Sequence, residues 1–171
     1  DGIDKVSHEY GFGSVFDAEV SFCDRLVADI IAAAPAGTEV LVTADHGQVD
    51  CGDNVVHMHE DVAQLVTGLS GEGRFRWLHC DPQRTDELVQ VATDRHGGQA
   101  WVVSREQMID EQWFGPVIRR GVEERFGDVA LCPFEPVSFF DPADGGPFEL
   151  IGRHGSLTSA EMLVPLLRAE A

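Results

Sequence analysis

Phe16, Val20, Cys23, Val27, Ile30 and Ala34 recur at intervals of three and four residues, the period of one face of an α-helix. The spacing predicts a helix over residues 14–34, with Ser14 and Asp17 spaced as a capping box at its start and Pro35 and Gly37 ending it. A short loop then leads into residues 39–44, an apolar, β-branched run of the kind found in buried strands. A helix followed closely by such a strand is the repeating unit of an α/β fold built on a doubly wound, mostly parallel sheet. Ligand sites in these sheets lie at the carboxyl ends of the strands.

Further along, alternation predicts a strand over residues 75–80, and residues 85–96 read as a capped helix ending at Gly97. Residues 100–103 form a further short strand. Ser104 and Gln107 repeat the capping-box spacing and open a short helix toward Trp113. Pro116 at the start and Gly127 beyond the end predict another helix over residues 116–126. Residues 129–132 and 137–140 read as strands, followed by a turn through Asp141, Pro142, Ala143, Asp144, Gly145 and Gly146. Thr158 and Glu161 make a last capping box, but Pro165 would break a long helix, so a single turn leading into a final strand is expected. No repeat or low-complexity linker divides the chain, and residues 60–148 read as a small βα excursion from the main sheet.

Composition narrows the function classes. The 171 residues suffice for one core, and no segment approaches the roughly 20 apolar residues of a membrane-spanning helix. A net charge of −18, with Lys5 the sole lysine, disfavours a nucleic-acid polymer as partner, because such binding needs a basic stripe to release counterions. Cys23, Cys51, Cys80 and Cys132 lack the C-x-x-C spacing of a structural zinc site. They read as buried thiols, which suits a reducing, cytoplasmic location. Trp77, Trp101 and Trp113 read as core residues rather than base-stacking platforms, since the positive groove that accompanies such platforms is missing.

The candidate chemistry lies in three clusters. Asp45 and His46, followed by Gly47, sit at the carboxyl end of the strand over residues 39–44. Asp4 and His8 are four residues apart and share one face of a helix or tight turn. His154 lies just before Gly155, where the backbone can pass close to a ligand. Alone, each has an ordinary reading: a helix cap with a surface histidine, a solvated helix pair, a glycine turn. Together they form a mixed carboxylate and imidazole set that suits zinc or manganese and is too nitrogen-rich for calcium or magnesium. Arg153, beside His154, is a candidate phosphate contact. His57 and His59 alternate as metal ligands on a strand would, although a loop or partly buried position is the plainer reading. His79 and His96 have no ligand partner nearby in sequence and read as structural or surface residues.

Asp4-x-x-x-His8, then Thr43-Ala44-Asp45-His46-Gly47, then His154-Gly155 resemble the carboxyl-terminal half of the alkaline phosphatase superfamily. The wording His8-Glu9-Tyr10-Gly11 and the closing Leu163-Val164-Pro165-Leu166-Leu167 resemble its type I phosphodiesterase and nucleotide pyrophosphatase branch. The resemblance is firm over residues 1–56 and 150–168 and thin between them. It implies an alkaline phosphatase-like fold, here incomplete, with residues 1–171 forming the carboxyl-terminal part of one catalytic domain and residues 60–148 a substrate-side subdomain. It also implies two divalent metal ions, zinc or manganese: Asp4, His8 and His154 would hold one, and Asp45 with His46 would supply part of the other site. The family's Thr or Ser nucleophile and one further Asp ligand match nothing here, so the chain is expected to be part of a longer protein whose amino-terminal half is its partner. The implied activity is hydrolysis of a small phosphoester or nucleotide. Phosphomonoester hydrolysis, phosphomutase chemistry and a non-catalytic metal-binding fragment are the alternatives.

Overall fold

A computed structural model describes residues 2–145 and 150–171. Along the chain run α1 (Gly2–Tyr10), α2 (Ser14–Ala33), β1 (Glu39–Thr43), β2 (Val49–Asp50), β3 (Val55–Val56), α3 (Glu60–Ala63), β4 (Val66–Glu72) and β5 (Phe75–Cys80). They are followed by α4 (Thr85–His96), β6 (Ala100–Ser104), α5 (Arg105–Asp110), β7 (Val129–Pro133), β8 (Ser138–Phe139), β9 (Gly152–Arg153), α6 (Ser159–Met162) and β10 (Leu166–Glu170). No helix among the described residues is long and apolar enough to cross a membrane.

The chain divides into two units. Unit 1 holds residues up to Asp53, then 150–154 and 158–171 of the described chain. Its ladders are antiparallel and two-stranded: β1 with β10, Glu39 opposite Glu170, and β2 with β9, Val49 opposite Arg153. Gly11, at φ 65°, ends α1 in a left-handed conformation that costs glycine nothing, and its N–H donates to Ser7 O. Pro165 limits α6 to a single turn, as its missing N–H requires.

Unit 2 holds residues 54–145 and 155–157. Its sheet has the order β4-β5-β7-β6, all antiparallel, while β3 and β8 form a short parallel pair. Val62, Leu78, Leu88, Ala92, Val129, Leu131 and Phe139 are the fully buried centre of its core. The protein is thus a mixed α/β structure in which most of the pairing internal to this chain is antiparallel.

Several expected elements take a different form. Residues 116–126 do not make a helix; only Glu123–Arg125 turn, as a 3-10 segment. Gly115 and Gly121 sit at φ 85° and 84°, left-handed positions that interrupt right-handed winding. The α2 start uses Gly13 rather than Ser14 as its cap, with Asp17 N–H on Gly13 O and no side-chain cap bond. Gly68 and Gly71 leave β4 without the alternating side chains that mark a strand; at Gly71 a Cβ would lie 2.3 Å from Phe75 O. Of the turn beginning at Asp141, Asp141 Oδ1 accepts from Ala143 N–H, while Gly146 lies outside the described residues.

Two arginines of unit 2 are completely buried. Arg74 donates to Glu135 O at 2.6 Å and Val137 O at 2.8 Å, and to Pro133 O at the end of β7 at 3.2 Å. Arg76 pairs with Asp141 and Asp144 and donates to Phe139 O. A buried guanidinium needs such partners to offset its desolvation. Of the tryptophans, Trp77 is buried, but Trp101 is 41% exposed. It lies on the edge strand β6, where with Trp113 it lines a surface groove of about 510 Å³. The core expectation for Trp101 is therefore corrected.

Candidate metal centre

Asp4 and His8 lie one turn apart on α1, and His8 Nε2 is 3.2 Å from Asp4 Oδ1. His46, in the segment after β1, brings Nε2 to 3.9 Å from the same oxygen. His154, directly after β9, brings its Nε2 to 3.8 Å. One ligand atom each from Asp4, His8 and His154 lies within 4.8 Å of the others. The His46 and His154 rings stack with centroids 3.5 Å apart and planes 14° apart.

The fold holds these groups by close backbone approaches. A Cβ on Gly152 would lie 2.5 Å from Ser7 O, so glycine lets β9 run directly against α1. There Ile151 N–H donates to His8 O at 2.8 Å, and His8 Nδ1 lies 2.6 Å from Gly152 O. Likewise His46 Nδ1 is 2.9 Å from Gly47 O.

A carbonyl only accepts, so Nδ1 carries the hydrogen in both histidines. When each ring is neutral, the Nε2 lone pair faces Asp4. Lone pairs and a carboxylate oxygen that converge in this way favour a positive charge among them, either a proton or a cation. His154 does not readily supply it as a proton: burial, then the neighbouring His46 and His8, push its pKa below the usual histidine value, against the weaker pull of Asp4 and Glu161. The donor set therefore fits a divalent cation.

Not every candidate joins this cluster to the same degree. The Asp45 side chain is 92% exposed at its edge, 3.8 Å from His46 Nε2. Arg153 turns Nε back onto Leu150 O at 3.1 Å. His57 packs against the Phe140 ring, and His59 caps α3 by accepting from Asp61 N–H. His79 Nε2 is 2.7 Å from Ser70 Oγ. Among the described residues the group placed closely enough to hold a metal ion is Asp4, His8 and His154; Asp45, His46, His57 and His59 are not part of it.

Two residues of the centre gave no signal in sequence. Gln48 donates from Nε2 to Asp4 Oδ1 at 2.5 Å, and Ser7, fully buried, hydrogen-bonds Gln48 Oε1. Their separation along the chain is what hid them.

Solved structures of known proteins have the same fold. Human ectonucleotide pyrophosphatase/phosphodiesterase 5 matches with a TM-score of 0.65 and 16% identity, over 96% of this chain and 44% of that one. Phosphonoacetate hydrolase from Sinorhizobium meliloti 1021, in complex with phosphonoformate, matches with a TM-score of 0.69 and 19% identity, over 96% of this chain and 43% of that one. An inactive form of the murine ectonucleotide enzyme, in complex with AMP, matches with a TM-score of 0.64 and 18% identity, over 96% and 44% of the two chains. The fold is thus that of alkaline phosphatase-like enzymes, and the chain spans under half the length of these relatives. A comparison with curated proteins finds no match. The family model for type I phosphodiesterase/nucleotide pyrophosphatase matches residues 1–157, and the chain belongs to that family.

Proposed function

We propose that this chain is the metal-holding part of a phosphoester hydrolase of the phosphodiesterase or nucleotide pyrophosphatase type. The observation that carries the reading is the convergence of His8, His46 and His154 on Asp4 Oδ1. Asp4, His8 and His154 would hold one divalent cation, zinc or manganese, and Asp45 with His46 would supply ligands to a second. When bound, such cations polarise a phosphoryl oxygen and offset charge on the attacking and leaving oxygens.

The chain's own contribution is to orient the ligands. Gly152 O and Gly47 O fix the histidine tautomers, and the stacked His46 and His154 rings restrain one another. Arg153, next to His154, is the proposed contact for a phosphate oxygen, on the strength of its guanidinium chemistry. The nucleophilic Thr or Ser and the remaining Asp ligand are assigned to an amino-terminal portion of the same protein, outside this chain. Residues 60–148 are assigned to the substrate side.

The substrate class proposed is a small phosphoester or nucleotide, in keeping with the AMP and phosphonate complexes of the structural relatives. The charge of −18 also opposes a polyanion. The exposure of Asp45 favours one alternative for the isolated chain, a metal-binding fragment without turnover.

Elemental mass spectrometry of the purified chain, supplied with zinc or manganese, tests the reading. One ion per chain is expected from the Asp4 site, and none would overturn it. With the full-length protein, faster hydrolysis of a diester than of a monoester is expected; the reverse would favour a monoesterase.

A further inference from the structure

We propose that Ser7 and Gln48 are positioning residues for the Asp4 carboxylate, acting as a relay that sets the metal affinity of the centre. The inference rests on the metal-binding reading above and adds two residues to it. Asp4 is the carboxylate on which the three imidazoles converge, yet its side chain is 45% exposed. Left to itself it would exchange between water and several rotamers, and each alternative would weaken a site that needs it in one place.

Gln48 restrains it. Ionised Asp4 is acceptor-only, so the amide must turn its NH₂ toward Oδ1, where Nε2 lies at 2.5 Å. This leaves Gln48 Oε1 facing Ser7 Oγ, and an amide oxygen only accepts. The single Ser7 hydroxyl hydrogen is therefore drawn to Gln48, away from the Asp4 carbonyl 2.7 Å away. Ser7 is fully buried and cannot exchange that partner for bulk water. Each group in the sequence Ser7, Gln48, Asp4 thus has its orientation fixed by the next.

The backbone places the relay where α1 meets β9 and the start of β2. Ser7 lies under β9, at the point where Gly152 allows close approach. Gln48 follows Gly47, whose N–H donates to Glu161 O at 2.7 Å, and precedes β2, which pairs with β9. The segments that carry His46 and His154 thereby also carry the groups that hold Asp4. A carboxylate oxygen has room for both an amide hydrogen and a cation, so the relay remains compatible with a filled site.

The test is zinc affinity, measured by competition with a chromophoric chelator on this chain. Gln48→Leu keeps the bulk and removes the donor. Groups that orient a metal ligand are worth about 10–100-fold in affinity, and a loss in that range is expected with an unchanged circular dichroism spectrum. Ser7→Ala should lose less, since it frees the amide without removing it. Binding by Gln48→Leu within about twofold of the parent would overturn the proposal and leave the metal reading standing. Absence of zinc binding by the parent chain would overturn both.

Discussion

Helix α4 in unit 2 buries Leu88, Ala92 and His96, whereas α2 in unit 1, though longer, buries none of its side chains. Val15, Val20, Phe22, Leu26 and Ile30 of α2 are between 41% and 52% exposed. The β strands differ in the same sense. β7 is buried along its whole length between β5 and β6, while β1 and β10 pair only with each other among the described residues and leave Leu41, Leu166 and Leu167 open. Unit 2 closes a core within the chain, whereas unit 1 displays apolar surface of the kind that marks an interaction face. The candidate metal centre belongs to unit 1, so its groups are ordered by local turns and glycine contacts more than by a deep core.

Paired substitutions test the contrast most strongly. Leu88→Ala should cost about 2–5 kcal/mol, because it opens a cavity in a closed core. Leu26→Ala should change stability by no more than about 0.5 kcal/mol. Urea unfolding followed by tryptophan fluorescence reads unit 2 alone, since Trp77, Trp101 and Trp113 all lie there. Far-ultraviolet circular dichroism includes α2. Equal losses for the two variants would remove the distinction.

A smaller effect should come from His96, whose Nε2 accepts from His59 N–H at 3.3 Å. Burial first, and the neighbouring His59 second, push its pKa below the usual histidine value. In the unfolded chain it titrates near 6.5, so below about pH 6.5 the unfolded state takes the proton first. Stability is therefore complete above that pH and is lost as pH falls toward the folded value. Protonation would also remove the acceptor from His59 N–H, a change of about 1–3 kcal/mol. The fluorescence midpoint should fall more between about pH 7.5 and 5.5 in the parent than in His96→Gln. Equal slopes would assign the loss to other groups.

A modest effect is expected at α5. Ser104 Oγ accepts from Gln107 N–H at 3.1 Å, and Ser104→Ala should cost about 1 kcal/mol in the same urea experiment. A neutral result would mean that tertiary contacts, not the cap, hold that helix.

Local signals were legible where one element decides the outcome. The α2 period, the alternation of β5, the Ser104 cap and the stop at Pro165 all act within a few residues, and the structure has each of those elements. Residues 116–126 carry proline and glycine punctuation that suits a helix, while left-handed Gly121 denies its interior and left-handed Gly115 precedes its start. β4 was missed because glycines occupy positions where a strand ordinarily shows side chains. Burial of Arg74 and Arg76 was illegible, since both depend on carbonyls and carboxylates more than 50 residues away. The same holds at the candidate metal centre. Asp4, His8, His46 and His154 stood out by residue type, but Ser7 and Gln48 are common residues 41 positions apart.

Gly47 shows how a short motif can conceal a long-range constraint. It has no left-handed φ to explain it; instead a Cβ there would lie 2.0 Å from Ala160 O, on the turn of α6. The glycine after the Asp45 and His46 pair is a socket for a segment more than 100 residues downstream. The carboxyl-terminal stretch therefore acts as a latch on the turn that carries His46, and a side chain at position 47 would have to push it away.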